Sequence, residues 1–145
     1  MRDTLGDRMK LYEGKEADRR FLPLLPVIAR IDGRSFSSFT RGMRRPYDEI
    51  MATCMIETTE YLVKETNACI GYTQSDETSL AWYSDDIKSQ IFFDGRIMKM
   101  TSQLAALGTL KFNQLIQERY PLYSKKNPTF DARVWQVSNL EKTLS

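Results

Sequence analysis

The sequence predicts a single α+β domain of ferredoxin-like order, βαββαβ, with a four-stranded antiparallel sheet and two helices on one of its faces. Three observations carry this. The chain has 145 residues, enough for one domain with a substantial core. Hydrophobic residues make up 41% and charged residues 28%, a balance of neither a disordered nor a membrane-spanning chain. The hydrophobic period alternates between two and 3.6 in the order strand, helix, strand, strand, helix, strand.

Residues 1–26 read as an N-terminal extension, charged and only partly helix-compatible up to residue 20, and closed by FLPLLP. Pro23 and Pro26 hold the chain extended as it approaches the domain. VIARI (27–31) is a β-branched run that predicts the first strand, ending at Asp32-Gly33, a pair suited to a tight turn. Beyond Pro46, the residues Tyr47, Ile50, Met51, Cys54, Thr58, Tyr61 and Leu62 fall at helical spacing and predict a helix over 47–66. Asp48 and Glu49 lie in its first turn, where the helix dipole favours negative charge, and Asn67 suits its end. Strands over 68–72 and 78–83 are joined by TQSDE, which is hairpin spacing with polar turn chemistry. A polar stretch and the short run 91–93 lead to a second helix over 96–119. Ile97, Met100, Leu104, Leu107, Lys111 and Leu115 line one side of it, and Ala105, Ala106 and Gly108 are small enough to lie close to a sheet. Pro121 and Pro128 bracket a loop, and TFDARVWQV (129–137) predicts the last strand.

Composition narrows the chemistry. There is no histidine, which excludes Ser-His and Cys-His nucleophile pairs, an imidazole base and every histidine-dependent zinc site. The two cysteines, Cys54 and Cys69, are too few for a four-thiolate zinc site and read as reduced, buried thiols. Catalysis then falls to carboxylates, Lys, Arg, hydroxyls or a bound metal. With 21 Lys plus Arg against 19 Asp plus Glu, any nucleic-acid contact needs a local patch. The first residues are too charged for a signal-peptide core, and no apolar run approaches membrane-spanning length, so a cytoplasmic protein with no membrane partner is expected.

The acidic residues fall in a telling place. Asp32 ends the first strand, and Asp76 and Glu77 sit at the hairpin tip. The predicted topology makes the first and third strands neighbours, so Asp32 and Asp76 can converge on the open sheet face. Two ionised carboxylates within about 4 Å repel strongly when partly buried. A hard divalent cation relieves this, and Mg²⁺ usually takes one or two carboxylates plus substrate phosphates. Pairs of such ions, about 3.5–4 Å apart, activate an attacking oxygen and stabilise a leaving phosphate in polymerases and nucleases. Taken singly, DGR and QSDE are ordinary polar turns; on two adjacent loops they favour a metal site.

Arg30, Arg34, Arg41, Arg44 and Arg45 lie within 16 residues, a local bias that suits phosphate recognition, with a solvated basic loop as the alternative. Between them SFSSF (35–39) offers hydroxyls and backbone N–H groups to a triphosphate, while Phe36 and Phe39 read as core anchors. Lys99 interrupts an apolar run and either snorkels to water or contacts a phosphate. No GxxxxGK[ST] loop occurs, which excludes a P-loop.

RIDGRSFSSF (30–39), RRPYDE (44–49), GYTQSDETSL (71–80), FFDGRIMKMTSQLAALGTLKFN (92–113) and FDARVWQV (130–137) resemble the tRNA-His guanylyltransferase family. The resemblance is closest to its bacterial and archaeal-type branch of tRNA-repairing 3′–5′ polymerases, and covers most of the chain from about residue 27. It implies a polymerase-palm domain over 27–145, without the helical C-terminal segment of the family. It also implies Mg²⁺-dependent addition of nucleotides to the 5′ end of tRNA. In that family a 5′-monophosphate end is activated with ATP, and the 3′-hydroxyl of GTP attacks the activated phosphate. Two Mg²⁺ ions, ATP, GTP, a tRNA partner and a homotetramer follow from the resemblance.

Carried over residue by residue, Asp32 and Asp76 match the metal-binding carboxylates, and the carbonyl of Gly33 a third ligand. Asp32, Gly33, Arg34, Ser35, Phe36 and Ser37, with Ser75 and Asp76, match the nucleotide-binding segments. Arg45 stands where many members place a Lys near the phosphates, Lys99 matches a lysine of the second helix, and Glu77 belongs to the catalytic motif. Ser37 occupies the place of a histidine that stacks near guanine in eukaryotic members. Three other readings compete: a ferredoxin-like RNA-binding module with stacking aromatics on its central strands, a nucleotide cyclase on a related palm, and an inactive fragment.

Overall fold

A computed structural model describes residues 4–139. Along the chain run α1 (Leu5–Ala17), β1 (Val27–Gly33), α2 (Phe36–Phe39), α3 (Glu49–Thr66), β2 (Ile70–Gln74) and β3 (Glu77–Trp82). A 3-10 turn (Phe92–Gly95), α4 (Ile97–Arg119), α5 (Pro121–Ser124) and β4 (Phe130–Gln136) follow. The strands form one antiparallel sheet of order β2-β3-β1-β4. This is the predicted βαββαβ arrangement, with the first and third strands in the middle. The last six residues of the expected domain, 140–145, lie outside the described residues.

Strand alternation decides what each face does. Val27, Ala29 and Ile31 of β1, and Leu80 and Trp82 of β3, are buried in the core with Leu62 of α3 and Met100, Leu104 and Phe112 of α4. At Gly108 α4 packs closely on the sheet: a Cβ there would stand 3.3 Å from Cγ2 of Ile31. Ala105 is half-buried, but Ala106 faces solvent, because two helical residues beyond Leu104 the side chain points away from the sheet. The opposite face carries Ile28, Arg30 and Asp32 of β1, in register with Ala81, Ser79 and Glu77 of β3 and with Trp135, Arg133 and Asp131 of β4.

The helix predicted from residue 47 begins at Glu49. Asp48 is its N-cap, with a carboxylate that accepts the Met51 amide at 3.0 Å. Tyr47 therefore lies before the helix and is 63% exposed, and Ile50 is exposed too. The buried side is rotated towards Cys54, Met55, Thr58, Thr59 and Leu62. Asn67 ends the helix in the left-handed region, φ 56°, as expected. The expectation of two buried thiols is corrected: Cys54 is buried, whereas Cys69 precedes the edge strand β2 and is exposed.

The extension contains α1, closed by a capping box between Thr4 and Asp7, with no buried residue. Its last residues are tied to the domain. The Phe21 amide donates to the Gly95 carbonyl at 2.9 Å, and the Gln136 side chain donates to the Leu22 carbonyl at 2.7 Å. Among the described residues no helix is long and apolar enough to cross a membrane.

Candidate active site

The acidic row lies at one end of the open face. Asp32 is paired in register with Glu77 on one side and with Asp131 on the other. The hairpin between β2 and β3 turns over two residues, with Ser75 in the left-handed region at φ 55°. The Gly33 amide donates to the Asp76 carbonyl at 2.9 Å, and the Arg34 amide to the Thr129 carbonyl at 2.8 Å. These two bonds tie the end of β1 to the hairpin turn and to the start of β4. The fold thus brings Asp32, Gly33, Ser75, Asp76 and Glu77 to one place.

Electrostatics record the crowding. Burial pushes the Glu77 carboxyl above its ordinary range, and so does a side-chain hydrogen bond with Asp32; Arg30 offsets this, while Asp32 and Asp76 add to it by their charge. Arg30 approaches Glu77 at 3.8 Å, and Arg133 approaches Asp32 at 3.9 Å. Asp131 is the acid that sequence reading did not single out. Only its register opposite Asp32 marks it, and that depends on where β4 enters the sheet.

Among the described residues, no three His, Cys, Asp or Glu side chains form a group able to hold a metal. The donors present fit an ion that completes its shell elsewhere: two hard carboxylates, Asp32 and Asp76, and the Gly33 carbonyl. The negative charge of Asp32 and Asp76, which adds to the upward shift that burial gives Glu77, is what a divalent cation would neutralise.

Beyond Gly33 the chain turns sharply, with Ser35 at φ 53° before α2. Among the described residues the amides of Ser35, Phe36 and Ser37 have no protein acceptor. Three consecutive free N–H groups beside a carboxylate cluster form an anion cradle. Phe36 contributes only its amide, because its ring is buried against Phe39, Phe112 and Phe130 at centroid distances of 4.9, 5.6 and 5.1 Å. The core-anchor reading of Phe36 and Phe39 is therefore the observed one.

A cleft of about 300 Å³ opens between α2 and α3, lined by Thr40, Arg44, Arg45, Tyr47 and Ser75 among others. Neither Arg44 nor Arg45 is ion-paired among the described residues. Asp48 holds the loop that carries them: its carboxylate accepts the Arg44 amide at 3.2 Å and the Tyr120 hydroxyl at 2.8 Å. Burial acts to raise the Asp48 carboxyl, but the hydrogen bonds from Met51, Tyr120, Arg44 and Ile50 outweigh it and hold the group below its ordinary value.

Lys99 is not brought to this place within one chain. It lies in the first turn of α4, its ammonium 5.5 Å from the Phe93 ring centroid. It precedes Gly108, the residue of α4 that meets Ile31, by nine positions, about 13 Å of helix. An RNA-recognition platform is not formed on the central strands either. Trp82 faces the core, and the open positions of β1 and β3 are Ile28, Arg30, Asp32, Glu77, Ser79 and Ala81, none of them aromatic.

A family model described as Thg1, tRNAHis guanylyltransferase, matches residues 6–138. The tRNA(His) guanylyltransferase of Schizosaccharomyces pombe is 27% identical over 136 residues, 92% of this chain and 49% of that protein. Two solved structures of a bacterial tRNA(His) guanylyltransferase-like protein, in complex with ATP and with GTP, are each 36% identical with a TM-score of 0.86. They cover 94% and 93% of this chain, and 59% and 64% of theirs. The chain spans about half the length of the curated relatives it matches, 54% of a protein of Acanthamoeba polyphaga mimivirus and 49% of the yeast enzyme. With the fold, the acidic row and the family model in agreement over nearly its whole length, this chain belongs to the tRNA-His guanylyltransferase family.

Proposed function

We propose that the chain is a nucleotidyltransferase that adds nucleotides to the 5′ end of tRNA in the 3′–5′ direction, using ATP and GTP. The observation that carries this reading is the meeting of Asp32 and Asp76 with the free amides of Ser35, Phe36 and Ser37 at one end of the sheet. Carboxylates that bind metal and amides that bind phosphate are the two halves of a phosphoryl-transfer site.

Asp32, Asp76 and the Gly33 carbonyl would hold two Mg²⁺ ions, which when bound supply charge neutralisation at the reacting phosphate and a lowered pKa for the attacking hydroxyl. The free amides, with the hydroxyls of Ser35, Ser37 and Ser75, orient the triphosphate. Arg34 and Arg45 balance its charge. Glu77 stands beside Asp32 in the strand register and is itself approached by Arg30. The neighbouring cleft at Arg44 and Tyr47 is open to the nucleoside. A cytoplasmic homo-oligomer completes the reading.

The test offers the protein a 5′-truncated tRNA with Mg²⁺, ATP and labelled GTP. A labelled, 5′-extended RNA is expected from the wild type and none from Asp76→Ala. Equal product from both, or no product from the wild type, overturns the proposal.

A further inference from the structure

A second depression of about 520 Å³ shares Arg34 and Ser35 with the proposed triphosphate site, and the proposed chemistry leaves the rest of it unused. Arg34, Arg41 and Lys126 line it together with Ser35, Ser38 and Asn127, and no carboxylate does. Arg34 and Arg41 are exposed and make no ion pair among the described residues. Lys126 is engaged differently. Its ammonium donates to the carbonyls of Ser38, Phe39 and Arg41 at 3.2, 3.1 and 3.3 Å and lies 4.9 Å from the Tyr123 ring centroid. An ammonium has three donors, so all of its hydrogens are spent on the wall of the depression.

We propose that this cleft binds a backbone phosphate of the RNA strand, with Arg34 and Arg41 as the donors and Lys126 as the residue that holds the wall in place. The inference rests on the reading of the acidic site as one that acts on an RNA end. Charge supports it: on a chain whose formal net charge is only +2, three cations share one hollow without an acid among its lining. Shape and chemistry favour a polynucleotide over a second free nucleotide. The one aromatic residue of the lining, Phe39, has its ring packed against Phe36, Phe112 and Tyr123, so no face is open for a base to stack on. Position supports it too. Arg34 follows the acidic end of β1 directly and is bonded to Thr129 on the rim of the hollow, so a strand whose 5′ end reaches Asp32 and Asp76 would pass its backbone over Arg34. Such a contact positions the strand without reading its sequence.

The experiment measures binding of a 5′-monophosphorylated tRNA by fluorescence anisotropy across a salt series, for the wild type, Arg41→Gln and Lys126→Gln, with GTP and inorganic pyrophosphate binding measured in parallel. Loss of one phosphate contact in Arg41→Gln should lower the slope of log K against log salt by about one and weaken tRNA binding several-fold at low salt. GTP and pyrophosphate binding should be unchanged. Lys126→Gln should weaken tRNA at least as much; should that variant not fold, Arg41→Gln, which changes an exposed side chain, still decides. An unchanged salt slope in Arg41→Gln overturns the inference. Equal weakening of GTP overturns it as well, because the hollow would then be part of the triphosphate site, and loss of pyrophosphate binding alone would make it a site for free phosphate. Absence of tRNA binding by the wild type also overturns it. Failure of the proposed activity reads out separately, as wild-type protein that forms no labelled RNA from GTP.

Discussion

The amide of Gly33 is bonded to the carbonyl oxygen of Asp76 across 2.9 Å, and this single backbone contact fastens the end of β1 to the hairpin turn between β2 and β3. It holds the carriers of Asp32 and Asp76, the two acids proposed to bind metal, together through main chain rather than through the carboxylates, which repel. The acids can therefore be altered without removing the contact that brings them close.

Asp32→Asn should abolish nucleotide addition and leave the protein slightly more stable without metal, because it removes one of several crowded negative charges. The pH dependence carries the same information. The folded Glu77 has its pKa raised by burial and by Asp32, so between the unfolded and folded values the native state binds more proton. Stability from this group is complete below the unfolded pKa and is lost as pH rises through the folded one. Urea unfolding in metal-free buffer across the carboxylate range should show that fall in the wild type and a flatter profile in Asp32→Asn. Mg²⁺ should raise the melting temperature of the wild type and not of the variant. A steeper pH dependence in Asp32→Asn would contradict the assigned crowding.

Gly33→Ala tests the link between core and cradle. A Cβ at Gly33 would stand 2.4 Å from Cδ1 of Phe36, inside the aromatic cluster with Phe39, Phe112 and Phe130. Overpacking of this kind costs about 1–3 kcal/mol. The displaced Phe36 carries its amide with it, so GTP affinity should fall further than the shift in unfolding midpoint alone accounts for. Gly108→Ala, where the nearest atom is 3.3 Å away and a helical Ala gains up to about 1 kcal/mol over Gly, is the matched control and should leave GTP affinity unchanged.

The order of elements and the meeting of Asp32 with Asp76 were legible because both follow from local pattern plus one topological rule. Alternation marks the strands, helical spacing marks α3 and α4, and a βαββαβ chain puts its first and third strands side by side. The exposed positions of Tyr47 and Ile50 were not legible. The start of α3 is decided by Asp48, whose carboxylate is held by the Tyr120 hydroxyl from 72 positions away. Asp131 was hidden for a similar reason: its place opposite Asp32 is set by the β1–β4 register, which the loop before β4 does not reveal. Lys99 shows the converse, since a motif match gives the identity of a residue but not the distance along a helix that separates it from the acids.

Asp48→Ala should destabilise the protein by about 1–2 kcal/mol, as expected for a lost N-cap. Because hydrogen bonds hold its folded pKa below the unfolded value, the stability it contributes is present above the unfolded pKa and is lost as pH falls through the folded one. The variant should therefore converge on the wild type at acidic pH. Tyr120→Phe removes one of the bonds and should show a smaller loss of the same sign. Since Asp48 also holds the Arg44 amide, nucleotide affinity should weaken in Asp48→Ala even where the fold is intact. Denaturant curves and GTP binding measured together separate the two effects.

The thiols separate a buried cysteine from an exposed one without any mutation. Burial pushes the Cys54 thiol up to about 11, and no solvent reaches it in the core, so the reactive thiolate is both scarce and screened. Cys69 lies exposed ahead of β2, its sulfur 3.6 Å from the Tyr83 carbonyl. A thiol-specific chromogenic reagent at neutral pH should therefore titrate one thiol in the native protein, on Cys69, and the second only in denaturant. The rate at Cys54 then reports opening of α3 from the core, and Asp48→Ala should speed it in proportion to the stability lost. Rapid modification of both thiols in the native wild type would contradict the packing of α3 described above.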